Sequence, residues 1–282
     1  MVLRSAERGK KIFGWLVGIS LLGLIVLPGS AQAAFIDPAT FLPNATQLLI
    51  KFADFETFIS GNGQQLTGIF TVTSISNAVN PAIIYWSAGQ GGAELNGRFD
   101  NLLSQNFSGT GVNFAGGTFT VFASQAGSFQ PGAGGGPPTN QNAQLCSANA
   151  GGVCGPAWLT ANFVPGIFDT PGSTVTLAST FQTTNPQTGK GSGYLGVTPG
   201  GTQSAAFDTN GFTFTNFPAA DIFLNTDFFA CTIVVGPCAN GWPVISQDPA
   251  LARRVPMPAT LLLLGLSVLG VALKTSRIRF NP

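Results

Sequence analysis

The chain of 282 residues contains no histidine. That absence excludes a Ser-His-Asp triad and a Cys-His nucleophile pair, because both need imidazole as the base. It also removes the commonest zinc ligand, and the four cysteines do not fall at the two-to-four-residue spacing of zinc motifs. Charge is scarce as well. Only 8% of residues are charged, against about 25% in ordinary soluble domains. Between residues 34 and 254 there are ten acidic and five basic residues, a net −5. A basic patch for phosphate backbones is therefore missing, and nucleic acid is excluded as an expected partner.

Apolar residues are not scarce, and they separate this chain from disordered ones. Twenty-four phenylalanines are spread along it, enough apolar surface to offset the entropy of ordering. Solubility falls to neutral polar side chains and glycine.

Periodicity in the body is of period two. Phe70 and Val72 alternate with Ile69, Thr71 and Thr73; Phe119 with Val121, Phe212 with Phe214, and Val175 with Leu177 repeat the pattern. Further alternating runs cover 48–58, 82–87, 93–99, 193–198 and 228–235. Such runs, rich in β-branched and aromatic residues and separated by Gly, Asn and Pro, predict strands. About ten short strands without intervening helices predict an all-β fold, an antiparallel β-sandwich or jelly roll. One segment, 218–229, reads as a helical turn. Residues 63–70 (GQQLTGIF) and 92–99 (GAELNGRF) form a weak repeat, read as a recurring strand with a glycine bulge or a close backbone approach. Residues 130–145 read as a flexible Gly/Pro-rich loop inserted in a single domain spanning 34–254.

The ends differ from the body. Residues 1–33 carry a basic segment (Arg4, Arg8, Lys10, Lys11), an apolar run from Ile12 to Leu27, and Ala31-Gln32-Ala33. This predicts a signal peptide and signal helix, with cleavage between Ala33 and Ala34 by signal peptidase after passage through the Sec export machinery. At the other end, Ala259 to Leu273 is uncharged for 15 residues, roughly 22 Å as helix against a ~30 Å hydrocarbon core. Counting from Val255 extends the apolar stretch to 19 residues. Residues 259–273 are thus expected to form a C-terminal transmembrane helix. Lys274, Arg277 and Arg279, in the basic end 274–279, are its expected cytoplasmic anchor.

In an exported chain four cysteines predict disulfides, with three connectivities open. The short separations favour Cys146 with Cys154 and Cys231 with Cys238.

The tail 255–282 resembles the PEP-CTERM sorting domain. Val255, Pro256, Pro258, Ala259 and Thr260 match its motif, while Met257 stands where the family usually has glutamate, and its run of adjacent arginines is diluted. The resemblance implies handling by an exosortase-type membrane protease, transient residence in the inner membrane, and release to the cell surface or extracellular matrix. The body more loosely resembles the flocculation-associated PEP-CTERM group, through runs 66–75 and 91–99, the Gly191–Val197 segment, Phe207–Asn210 and Gly241–Val244. That implies a structural or adhesive role in aggregation and biofilm, with extracellular polysaccharide as partner.

No catalytic residue, cofactor or metal site is assigned from the sequence. Three chemical readings stand beside that one. Asp54 and Glu56, two apart on one strand face, are the best carboxylate pair for a secreted glycosidase; solvated strand acids are the simpler account of them, and of Glu94 with Asp100. Asp208, Asp221 and Asp227 offer hard oxygens for calcium without a recognised spacing. Tyr85, Trp86, Trp158, Tyr194 and Trp242 are candidate sugar-stacking aromatics for a carbohydrate-binding module. Thr188–Gly193 (TGKGSG) glances at a phosphate loop but lacks its first glycine.

Overall fold

The computed structural model describes residues 47–133, 141–167, 170, 172–231 and 240–254. The signal-peptide and sorting-tail expectations, and Cys238, lie outside the described residues. Among the described residues no helix is long and apolar enough to cross a membrane.

The described residues form twelve strands: β1 (Gln47–Glu56), β2 (Gln65–Asn77), β3 (Ile84–Ser87), β4 (Ala93–Ser108), β5 (Gly111–Gln125), β6 (Ala157–Phe163), β7 (Val175–Thr184), β8 (Gln187–Thr198), β9 (Phe212–Phe214), β10 (Phe217–Ala220), β11 (Ile222–Ala230) and β12 (Val244–Arg253). The strand–strand ladders are antiparallel. The main sheet runs β1-β12-β11-β8-β6-β5-β4-β2-β3, and β1 also pairs with β2. That last pairing closes the sheet on itself. β6 and β7 share one position in the ring: both lie between β5 and β8, β6 against Thr118–Phe122 and β7 against Gly111–Ala115.

The all-β antiparallel expectation holds. Its finer form, two stacked sheets, gives way to a closed, barrel-like ring. Alternation reports which face of a strand is buried but not which strand lies beside it. The closing pair β1–β2 and the long-range pair β1–β12 are therefore unreadable from local pattern. The helical turn expected in 218–229 is also absent. That segment is β10 and most of β11, with Ile222, Leu224 and Thr226 inward.

Closure turns every alternate side chain into the ring. Leu48, Ile50 and Phe52 of β1 meet Phe70 and Val72 of β2, Leu95 and Phe99 of β4, and Phe119 and Val121 of β5. Phe70 stacks on Phe119 with centroids 4.6 Å apart, and Phe52 stands edge-on to Phe70 at 5.2 Å. Each large apolar side chain buried this way contributes about 1.5–3 kcal/mol. The repeat seen in the sequence is where β2 and β4 pair. Gly68 faces Phe99 and Phe70 faces Gly97, and a Cβ on either glycine would run into the opposite ring. The register also slips between Leu66 and Gly68, so close approach and irregular pairing coincide.

A second, smaller apolar cluster gathers Ile69, Leu145, Cys146 and Trp242, packed by Phe55, Phe122 and Phe129. Residues 141–145, expected within a flexible loop, form a short helix in contact with β2 and β4. Trp242 Nε1 donates to Gln144 Oε1 at 2.9 Å, and the backbone N–H of Gly132 donates to the same oxygen at 3.1 Å. Cys146 is bonded to Cys154, with their Cα atoms 5.2 Å apart. Cys231 is also disulfide-bonded.

Candidate functional site

The strands β1 and β12 come from opposite ends of the fold and lie side by side. Their register sets Phe52 against Asp248, Asp54 against Ser246 and Glu56 against Val244. In both strands the buried residues alternate, so Asp54, Glu56, Ser246 and Asp248 all point into the ring. Three carboxyl groups thus share one apolar interior. Asp54 is 3% exposed, Glu56 9% and Asp248 5%, and one oxygen from each lies within 4.8 Å of the others.

Partners in this cluster are few. Ser246 Oγ donates to Glu56 Oε1 at 2.6 Å. Asp54 and Asp248 are linked carboxyl to carboxyl, which requires a proton on one of them. Asp54 Oδ1 and Asp248 Oδ1 have no hydrogen-bond partner. Thr226, on β11, lies against Asp248, yet its Oγ1 also lacks a regular hydrogen bond. The β11–β12 ladder lapses here: its register runs from Leu224–Ala250 to Asp227–Gln247 and skips Asn225 and Thr226, beside Pro249, which has no N–H to give.

Electrostatics follow from burial. Loss of water penalises each carboxylate, and the neighbouring acids penalise it again. Burial, then the charge of Asp54, pushes the Glu56 carboxyl up to about 8. Burial, then Asp54 and Glu56, holds Asp248 well above the usual carboxylate range. Asp54 is raised by burial against the lowering effect of its bonds to Asp248 and Ser246.

The cluster edges a cavity of about 60 Å³ whose lining includes Glu56, Thr226, Asp248 and Ser179 among Phe99, Phe163 and Leu177. That is room for a few waters. It is well short of the 300–1,000 Å³ of typical ligand pockets. Asp54 and Glu56, whose simpler account was that of solvated strand acids, are instead buried. Asp248, some 190 residues from them, was not singled out in the sequence. Its only local signal is its inward phase in the alternation Val244, Ser246, Asp248, Ala250, Ala252.

The remaining sequence candidates scatter. Asp221 Oδ1 accepts from the N–H groups of Thr209 and Asn210, both at 2.6 Å, and Oδ2 from that of Val197 at 2.7 Å. Asp227 pairs with Lys190 at 3.3 Å on the surface. Asp208, Asp221 and Asp227 therefore form no shared cluster. Glu94 accepts from the backbone N–H groups of Gly127 and Phe129, while Asp100 pairs with Arg98. Trp86, Trp158 and Trp242 are core residues. Tyr194 is not: with Phe212, Phe214 and Phe223 it forms a half-buried aromatic group, with centroids 4.8–5.8 Å from its own, and Arg253 lies over Phe212. The phosphate-loop-like residues are part of β8, and the inward Gly189 and Gly191 make room for Phe228 and Thr226.

No protein-family model matches the chain, and neither a curated protein nor a solved structure matches it.

Proposed function

We propose that this chain is an exported structural protein of the cell surface or extracellular matrix, which supports exopolysaccharide-associated aggregation. Its route would be export through the inner membrane, followed by removal of the tail 255–282 by an exosortase-type protease acting near Pro256–Pro258. The observation that best supports the reading is the Cys146–Cys154 bridge, which pins a Gly-rich loop beside Trp242 and suits an oxidising compartment. The tip of the β7–β8 hairpin adds to it. Thr180, Gln182, Thr183 and Thr184 are exposed there, a neutral hydrogen-bonding surface matched to hydroxyl-rich polymers. The test is the intact mass of the protein recovered from its host's surface and medium. A chain starting at Ala34 and ending near residue 256 is expected; one retaining 255–282 overturns the sorting route.

A second reading, a carbohydrate-binding module, is favoured by the aromatic group around Tyr194. Its rings are half-buried on the outside of the fold, where a sugar face can stack. It predicts saturable binding to one polysaccharide that Tyr194→Ala weakens at least tenfold. Unchanged binding in that variant removes this reading.

A further inference from the structure

We propose that Asp54, Glu56 and Asp248 bind one divalent cation of the calcium class inside the ring, with the Thr226 hydroxyl and water in the adjoining cavity completing its shell.

The donor set selects the ion. All three groups are carboxylates, and the chain has no histidine. Hard oxygen donors favour Ca²⁺, Mg²⁺ or Mn²⁺ over zinc or copper. Coordination number narrows the choice. Ca²⁺ takes about six to eight oxygens in a flexible geometry, which suits carboxyls from two strands together with a hydroxyl and water, whereas Mg²⁺ demands a near-ideal octahedron.

The second observation is a hydroxyl on a third strand, β11. Thr226 is 8% exposed, its Oγ1 has no regular hydrogen bond, and it lines the same cavity as Glu56 and Asp248. A hydroxyl left in that state beside Asp248 is a ready cation ligand. Protons alone do not complete the site. Protonation supplies donors, and the Asp54–Asp248 link already uses one. Asp54 Oδ1 and Asp248 Oδ1 still face an apolar interior with nothing to accept from. A cation displaces the carboxyl protons, takes up those lone pairs and offsets the negative charge that proton release leaves in the interior. Calcium keeps several ligands beyond three carboxylates, and the cavity has room for the waters that would supply them.

The experiment uses the purified full chain, stripped with EDTA and desalted at neutral pH. CaCl₂ is titrated by calorimetry, with MgCl₂ and MnCl₂ alongside, and thermal unfolding is recorded with and without each. One equivalent of Ca²⁺ is expected, with a rise in Tm of about 5 °C or more at a hundredfold excess over Kd. Asp54→Asn and Asp248→Asn should each weaken binding at least 100-fold, while their unfolding in EDTA stays cooperative. Asp227→Asn, which removes a surface acid, should bind as the parent does. No binding of any of the three cations, or binding unchanged in both interior variants, overturns the proposal. Should neither variant fold, Tb³⁺ luminescence lifetimes on the parent chain decide the matter. A mostly dehydrated ion is expected, and one with a near-aqueous lifetime overturns it.

Discussion

Phe99 lies over Gly68 on the neighbouring strand, and the same relationship recurs in reverse where Phe70 lies over Gly97. The two glycines are kept bare because the rings need their space. Phe70 cannot yield, since it is stacked on Phe119 and abutted by Phe52. Gly97→Ala should therefore destabilise the fold by about 1–3 kcal/mol through overpacking. Phe70→Leu in the same chain should recover part of that loss, because the two sites are in contact. Urea unfolding of the single and double variants measures both; additive losses would contradict the packing account.

Buried acids set a pH dependence when chelator keeps cations away. Glu56 is raised from 4.5 to about 8 in the folded state. Its protonated form is favoured by folding, so its contribution to stability is full below about 4.5 and lost as pH rises through about 8. Tm in EDTA should fall over that window, and Glu56→Gln should flatten the fall. A Tm that climbs from pH 4.5 to 8 in EDTA would contradict the burial of this group.

Asp221 carries three backbone N–H groups from two segments, 209–210 and Val197. Asp221→Ala leaves buried donors unpaired and should cost about 3 kcal/mol or more. Hydrogen exchange at Thr209 and Asn210 should quicken ahead of global unfolding. Asp221→Asn, which keeps one acceptor oxygen, should cost less.

The Cys146–Cys154 bridge closes a short loop. Replacing both by serine should lower stability by about 2–3 kcal/mol. The loss should spread to Trp242, which packs in the same cluster, and its fluorescence should report looser burial at a denaturant level the parent tolerates.

Legibility in the sequence followed the side chains that face inward. β2, β5, β7 and β9 carry aromatic or β-branched residues at alternate positions, and their period showed plainly. β12 did not show, because its inward residues are Val244, Ser246, Asp248, Ala250 and Ala252, small or polar where a core strand is expected to be apolar. β6 was missed for a related reason: Trp158, Leu159 and Ala161 are all buried, so alternation is blurred. Asp54 and Glu56 were visible as a pair, but their burial was not. Only the β1–β12 register reveals that these acids have a third neighbour and no water.

β12 lies between β1 and β11, and it is the last of the described strands in chain order. Until it arrives, β1 and β11 each present an unpaired edge, and the interior acids of β1 remain open to solvent. A growing chain therefore has nearly all of its strands before it has a closed fold. Contacts of such long sequence separation form slowly, and exposed edges recruit other strands in the meantime. Closure is then a single late event that seals the acidic interior and removes the two stickiest edges together.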